Sequence, residues 1–134
     1  MVENTKSDYS WKEKVILVGE DELINFRLIE IMLSKTFVTL IHAKTGTETL
    51  KIFQNTQKVD LILLDIKMPE MDGIEVTKEI RNINLHVPII IQTAFALEEE
   101  RLKSMKAGCN AFLTKPIKQK ELLQILESFI GKGT

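Results

Sequence analysis

The feature that most constrains the fold is a run of four large aliphatic residues, 61–64, that ends abruptly in Asp65. Such a continuous apolar run is typical of a central strand in a parallel sheet, because helices cover both faces of that strand. Pro69 and the turn pair Asp72 and Gly73 follow closely. Ligands of open α/β sheets bind at the carboxyl ends of the strands. Asp65 is therefore either a site residue or an ordinary strand-capping aspartate, and the other strand ends must decide between these interpretations.

The overall composition is that of one globular domain without a strong charge bias. The chain has 134 residues and a formal net charge of −1, so no basic field attracts nucleic acid or a membrane surface. No apolar run approaches the roughly 20 residues of a membrane-spanning helix, and no signal-peptide pattern is present. The single cysteine, Cys109, excludes an intrachain disulfide. These features predict a location in the cytoplasm, or on the cytoplasmic side of a membrane-bound protein.

The two ends of the chain are predicted to lie outside the folded domain. Residues 1–12 are mostly polar and are interpreted as a flexible tail or linker, residues 13–131 as the domain, and residues 132–134 as a short tail. Tyr9 and Trp11 are the exceptions in the N-terminal stretch. They either pack on the edge of the domain or belong to the linker of a longer protein.

Strand patterns and helix patterns alternate five times along the domain. The strand patterns cover residues 14–19, 37–43, 59–64, 88–92 and 110–114, and an amphipathic helix is expected after each, the last one over 118–130. This alternation with short connections predicts an α/β fold with a doubly wound parallel sheet. His42 and His86 lie far apart in the chain and away from the loops that follow the strands with chemically active residues. They are expected to be surface or strand-edge residues rather than phosphorelay residues or metal ligands.

The first helix, predicted from about residue 23 to residue 34, carries more apolar residues than one packed face requires. They form two arcs at helical spacing, one of Ile24, Leu28, Ile31 and Met32, the other of Leu23, Phe26, Ile29 and Leu33. One arc is expected to face the sheet. For the surplus arc we favour packing against the C-terminal helix, and a partner-docking face beside the acidic loop is the alternative.

Chemically active side chains follow four of the five predicted strands. Glu20 and Asp21 come after the first, Asp65 after the third, Thr93 after the fourth and Lys115 after the fifth. Three carboxylates that converge on one crevice repel one another unless a cation is present, and hard oxygen ligands suit Mg²⁺. A carboxylate nucleophile, a divalent metal, an ammonium group and a hydroxyl group together fit phosphoryl transfer onto a carboxylate.

These strand ends resemble the receiver domain, the phosphoacceptor module of bacterial two-component signalling. The matching stretches are Glu20 and Asp21, residues 65–73, residues 92–94 and residues 113–116. The similarity runs from about residue 14 to residue 130. It implies a flavodoxin-like (βα)5 sandwich whose five parallel strands lie in the order 2-1-3-4-5. No residue of the motif is missing.

The resemblance implies how the acceptor and the metal ligands divide their roles. Asp65 would accept the phosphoryl group from a phosphohistidine on a histidine kinase or a histidine phosphotransfer domain. Asp21 would bind Mg²⁺ directly, and Glu20 would hold it mainly through water. The backbone carbonyl of Lys67 would complete the protein ligands, and the Lys67 side chain next to the acceptor could modulate the lifetime of the phosphate.

The resemblance also implies a set of residues that respond to the phosphoryl group. Thr93 would hydrogen-bond a phosphoryl oxygen, and Lys115 would pair with Asp65 or with the phosphoryl group. The peptide bond between Lys115 and Pro116 is expected to be cis. Phe112 would be the aromatic switch residue that turns inward when Thr93 moves. A homodimer is one possible form of the phosphorylated domain, whose output and oligomeric state the sequence does not reveal.

Three functional classes remain to be compared. The favoured class is a signalling module rather than an enzyme. The module is either a stand-alone receiver or a fragment of a hybrid sensor histidine kinase. We favour the fragment, because residues 20–28 resemble the corresponding stretch of receivers attached to such kinases. The second is a metal-dependent aspartyl-phosphate phosphohydrolase, which would need a second acid where Lys67 stands. The third is a flavin-binding electron carrier of the same topology, whose phosphate loop Glu20 and Asp21 would repel.

Overall fold

The computed structural model describes residues 9–94 and 97–133, and within these ranges five parallel strands form one sheet. The strands are β1 Val15–Gly19, β2 Thr39–Ala43, β3 Leu61–Asp65, β4 Ile89–Thr93 and β5 Ala111–Thr114. The helices are α1 Leu23–Leu33, α2 Gly46–Asn55, α3 Gly73–Arg81, α4 Glu98–Ala107 and α5 Gln119–Ile130, with a 3-10 turn at Ser34–Thr36. The strand order is β2-β1-β3-β4-β5, which confirms the predicted doubly wound, flavodoxin-like fold.

Two apolar clusters, one on each face of the sheet, form the core. Alternate residues of a strand point to opposite faces, so Leu61 and Leu63 join the cluster under α1 and α5. Ile62 and Leu64 join the cluster under α2 and α3. β3 and β4 are buried along their whole length. The polar residues at their carboxyl ends are therefore held on a rigid base.

Only one of the two apolar arcs of α1 faces the sheet. Phe26, Ile29 and Leu33 are buried, whereas Ile24 is 76% and Ile31 68% exposed. The interpretation that the surplus arc packs against the C-terminal helix is therefore wrong for most of that arc. Leu122 and Leu126 of α5 lie in the same cluster as the buried arc of α1. Of the surplus arc, only Met32 packs against this cluster.

The second strand begins later than its apolar sequence suggests. Phe37 has a positive φ of 63° and is 70% exposed. It follows the 3-10 turn that ends the α1 segment, and the chain reverses there before β2 starts at Thr39. Phe37 is thus a turn residue. The β-branched and aromatic residues of this stretch had predicted a strand that begins at residue 37.

Trp11 lies inside the folded domain, in contrast to the flexible segment predicted over residues 1–12. Its side chain is fully buried in the cluster under α1 and α5. The indole Nε1 donates to the carbonyl oxygen of Gly131 over 2.7 Å, and its backbone nitrogen donates to that of Thr36 over 2.8 Å. The sequence left open whether Tyr9 and Trp11 pack on the domain or belong to a linker. Residues 9–11 pack on the domain. Residues 1–8 and 134, together with Phe95 and Ala96 of the loop before α4, lie outside the described residues.

Cys109 is a buried thiol, and we expect it to give the protein a specific pH dependence. Burial raises the pKa of the Cys109 thiol. The thiol of the unfolded chain ionises near its ordinary pKa of about 8.5, so stability is expected to fall as the pH rises above that value. Urea unfolding followed between about pH 8 and pH 10 measures this slope. Cys109→Ala is expected to lack this contribution, and equal slopes in the two proteins would contradict the prediction.

Candidate functional site

The parallel register of the strands brings the predicted site residues to one edge of the sheet. Gly19 is paired with Leu64 in the β1–β3 ladder, so Glu20 follows beside Asp65. β4 ends at Thr93, which is paired with Thr114 of β5. Lys115 comes directly after β5, and its backbone nitrogen donates to the carbonyl oxygen of Thr93 over 2.7 Å.

Lys115 joins the two buried acids of the site. Its Nζ lies 2.8 Å from Glu20 Oε1 and 2.7 Å from Asp65 Oδ2. The Glu20 side chain is fully buried, the Asp65 side chain is 10% exposed and the Lys115 side chain 16%. A charge-assisted pair with so little contact with water is screened far less than a surface ion pair. The ammonium group therefore neutralises part of the negative charge at the strand ends.

Burial affects the titration of both partners. Desolvation raises the pKa of the Glu20 carboxyl, and the hydrogen bonds from Lys115 and from the Glu22 backbone oppose it only in part. Desolvation alone would lower the pKa of Lys115, but the hydrogen bonds and charges of Asp65 and Glu20 outweigh it, so that pKa is raised. Lys115 is thus firmly cationic, whereas the Glu20 carboxylate gains stability from any additional cation.

Glu20, Asp21 and Asp65 form a cluster that fits a metal ion. Each offers one carboxylate oxygen, and these oxygens lie within 4.8 Å of one another. Asp21 is exposed, whereas Glu20 and Asp65 are buried. Hard oxygen ligands with one open, solvent-facing side suit Mg²⁺, which keeps several of its waters. Lys67 follows Asp65 closely, and its backbone nitrogen lies 3.3 Å from Asp65 Oδ1.

The backbone of Glu20 is anchored by a residue that the sequence analysis placed away from the site. His42 Nε2 lies 2.7 Å from the Glu20 carbonyl oxygen. Because a carbonyl oxygen only accepts, Nε2 is the protonated nitrogen of this contact. The His42 ring also stacks on Phe26, with 3.9 Å between the ring centroids. The parallel pairing of β1 and β2 creates this contact, which sequence spacing does not reveal.

The remaining predicted residues lie around the same strand ends. Thr93 is 1% exposed. The peptide bond between Lys115 and Pro116 is cis. Phe112 is partly buried against the cluster under α2 and α3, on the face of the sheet opposite to Leu113.

The loop after β3 is closed tightly behind Asp65. The backbone nitrogen of Gly73 donates to the carbonyl oxygen of Ile66 over 2.8 Å. Asp72 caps α3, its Oδ1 accepting from the backbone nitrogen of Glu75 over 2.8 Å. A Cβ atom on Gly73 would lie 2.2 Å from the Asp65 carbonyl oxygen. Glycine is therefore required at residue 73 by the close approach of the two backbones.

Gly73→Ala is accordingly expected to push the start of α3 away from Asp65. We expect the free energy of unfolding to fall by about 1–3 kcal/mol, since backbone atoms must move to make room for the methyl group. Chemical denaturation measures this loss. Lys78→Ala, at an exposed position of the same helix, is the control and is expected to leave stability almost unchanged. Equal stability of the two variants would contradict the close approach.

A cavity of about 570 Å³ opens beside Asp65. Its polar end is formed by Asp21, Asp65, Thr93, Lys115 and Gln92, and α1 contributes Leu28, Ile29 and Met32 at the apolar end. Gln92 lies in one of the stretches that resemble the receiver domain, but that resemblance implied no role for it. Its position directly before Thr93 in β4 was the only available signal.

None of the helices within residues 9–94 and 97–133 has the length and apolar character of a membrane-spanning segment.

Comparisons with known proteins agree on one family. The sequence profile of the response regulator receiver domain matches residues 15–127. The polar-differentiation response regulator DivK of Brucella anthropi is 31% identical over 120 residues, which cover 88% of this chain and 97% of that protein.

Similar solved structures are also receiver domains. The receiver domain of the sensor histidine kinase PA1611 from Pseudomonas aeruginosa PAO1, with a magnesium ion coordinated in its active site cleft, is 37% identical with a TM-score of 0.80. The match covers 88% of this chain and 98% of that one. A receiver domain protein from Clostridium thermocellum is 29% identical with a TM-score of 0.81, and the match covers 87% and 94% of the two chains.

Proposed function

The chain belongs to the response regulator receiver domain family, and from that premise we propose that it accepts a phosphoryl group on Asp65 in a two-component phosphorelay. The observation that carries this proposal is the placement of Asp65 at the end of the central strand, paired with Lys115 and grouped with two further acids. A structural capping aspartate needs neither the buried ammonium group nor the adjoining cavity.

The phosphoryl donor in this proposal is a phosphohistidine of a histidine kinase or a histidine phosphotransfer domain. An Asp65 carboxylate oxygen attacks the phosphorus atom of a phosphohistidine whose other ring nitrogen is protonated. The new P–O bond forms as the P–N bond breaks, and the electron pair of the broken bond stays on the ring nitrogen, so that the imidazole leaves neutral. Positioning and charge neutralisation supply most of the catalysis in such transfers. Lys115 lies 2.7 Å from Asp65 Oδ2 and stabilises the negative charge that arrives. The Thr93 hydroxyl donates to a phosphoryl oxygen.

Glu20, Asp21 and Asp65, together with the Lys67 carbonyl oxygen, are the residues that we propose to hold Mg²⁺. When bound, the metal ion neutralises charge on the phosphoryl oxygens. The raised pKa of Glu20 supports this assignment, because a second cation lowers the cost of ionising that buried carboxyl. The Pseudomonas aeruginosa receiver, which is 37% identical, carries magnesium in its active site cleft.

We further propose that phosphorylation is transmitted through Thr93 to Phe112. Both residues lie on strands that are directly paired, β4 and β5, so movement of Thr93 toward the phosphoryl group affects the packing of the next strand. Phe112 is only partly buried, so an inward rotamer would bury more of its ring. The altered face of β5 and α4 is the output surface for a partner or for a second copy of the chain.

The parent protein in this proposal is a hybrid sensor histidine kinase, with the receiver on the cytoplasmic side of the membrane. The receiver of a sensor histidine kinase from Pseudomonas aeruginosa is the 37% identical neighbour described above, which supports this origin. The buried free thiol of Cys109 is consistent with a reducing compartment.

Phosphorylation by a small donor tests the proposed function. Incubation with Mg²⁺ and acetyl phosphate is expected to add the mass of one phosphoryl group to the wild-type protein, measured by intact mass spectrometry. Asp65→Asn, which keeps the shape of the side chain, is expected to remain unmodified. Glu79→Gln, at an exposed position of α3, is the matched control and is expected to be modified like wild type. Modification of Asp65→Asn to the wild-type extent would refute the assignment of the acceptor.

A further inference from the structure

Gln92 is the side chain next to Asp65 on the same face of the sheet. The two residues are paired in the β3–β4 ladder. Ile90 and Leu63, two positions earlier on each strand, both belong to the cluster under α1 and α5. Since strand side chains alternate between faces, Gln92 and Asp65 project to that face side by side, on strands that are only about 4.8 Å apart.

The amide of Gln92 is buried without a hydrogen-bond partner. The residue is 0% exposed, and neither Nε2 nor Oε1 has a partner among the described residues. The other residues of β4 up to this point are isoleucines, so an apolar side chain would suit the core at this position. An orphaned buried amide is costly and rare in native proteins, so the Gln92 amide calls for an explanation such as a ligand that it binds.

Gln92 borders the cavity beside Asp65. Gln92 lines this cavity together with Asp65, Thr93 and Lys115. The Lys115 ammonium group already donates to both Glu20 and Asp65. A phosphoryl group brings three outer oxygens that only accept hydrogen bonds, whereas a glutamine amide offers two N–H donors.

We propose that Gln92 is a further phosphoryl-binding residue, whose side-chain amide donates a hydrogen bond to an oxygen of the phosphoryl group on Asp65. This inference rests on the proposed function of Asp65. In the unphosphorylated protein, the buried amide lacks a hydrogen-bond partner and destabilises the fold. In the phosphorylated protein, the amide gains a hydrogen bond to the phosphoryl group. Gln92 thus favours phosphorylation by making the empty site less stable and the occupied site more stable.

The inference is tested with beryllofluoride, a phosphoryl mimic whose fluorine atoms stand where the phosphoryl oxygens would. Gln92→Met keeps the length of the side chain and removes the amide. Without Mg²⁺ and beryllofluoride, this variant is expected to unfold at the same urea concentration as wild type or at a higher one. Its dissociation constant for beryllofluoride in saturating Mg²⁺ is expected to be raised about tenfold or more, the value of one hydrogen bond to a charged group.

A spectroscopic measurement on the wild-type protein does not depend on how the variant folds. The side-chain amide protons of Gln92, assigned in ¹⁵N-labelled protein, are expected to shift downfield when Mg²⁺ and beryllofluoride are added. Gln54→Met, at an exposed position of α2, is the matched control and is expected to change neither stability nor affinity.

The outcomes separate this inference from the function on which it rests. If wild type binds no beryllofluoride, the proposed function itself fails. If wild type binds it while Gln92→Met binds equally well and the Gln92 amide protons do not shift, only the role of Gln92 is overturned. A marked loss of stability in metal-free Gln92→Met also overturns it, because the amide would then already be partnered in the resting state.

Discussion

Lys115→Met is expected to lower the free energy of unfolding of the metal-free protein by about 3–5 kcal/mol, the usual cost of breaking a buried ion pair by removing one partner. The variant keeps most of the side-chain volume but leaves Glu20 and Asp65 without their shared cation. Glu20 is fully buried, and desolvation raises the pKa of its carboxyl. Urea denaturation in a chelating buffer at neutral pH measures the difference from wild type.

Two dependences distinguish this electrostatic loss from a simple loss of packing. The deficit of Lys115→Met is expected to shrink as the pH falls, because protonation of one carboxyl group removes the repulsion between the two acids. Mg²⁺ is expected to stabilise the variant more than wild type, because the metal ion replaces the missing positive charge. Lys120→Met, at an exposed position of α5, is the control. If the loss of stability in Lys115→Met depended on neither pH nor Mg²⁺, Lys115 would contribute only packing.

The sheet and the acids at its edge are predictable because each follows from short stretches of sequence. The aliphatic runs of β3 and β4 carry the signal of buried parallel strands, and the residue after each run is fixed at the carboxyl edge by topology. Asp65 was found in this way, and Glu20 and Lys115 were found because they follow the predicted first and fifth strands. Their distances from one another were not predictable, since these depend on register and on side-chain rotamers.

The errors of the sequence analysis arise where tertiary packing chooses between equal local patterns. The two apolar arcs of α1 have similar hydrophobicity, and only the position of the sheet decides that Phe26 and Ile29 are buried while Ile24 is exposed. Phe37 has high β-propensity but occupies a reversal of the chain with positive φ. Periodicity records which residues are apolar and does not record what covers them.

Long-range contacts account for the remaining surprises. His42 reaches the Glu20 carbonyl oxygen across neighbouring strands, and the unpartnered amide of Gln92 is visible only when its surroundings are known. Local rules of sequence disfavour a buried glutamine within a run of isoleucines. Such conflicts between a local rule and the fold are expected at functional sites, and this conflict lies directly beside Asp65.

The polar composition of the N-terminal segment gave a wrong prediction for the residues around Trp11. Eight of the first twelve residues are polar, so the sequence predicted a flexible tail. Trp11 nevertheless fills the core under α1 and α5, and its indole nitrogen is bonded to the carbonyl oxygen of Gly131. Tyr9 adds a hydrogen bond from its hydroxyl to Glu127 of α5 over 3.0 Å. We propose that the folded domain begins before Trp11 rather than at residue 13.

Trp11→Ala is therefore expected to lower the free energy of unfolding by about 3–5 kcal/mol, as for other fully buried large aromatic residues. Trp11→Phe keeps most of the packing but lacks the N–H donor. Its free energy of unfolding is expected to fall by less than that of Trp11→Ala. Because Trp11 is the only tryptophan, unfolding in urea must be followed by circular dichroism instead of fluorescence. Lys12→Ala, at the exposed neighbouring position, serves as the control. If Trp11→Ala were as stable as this control, residues 9–11 would be an accessory segment and the domain boundary at residue 13 would stand.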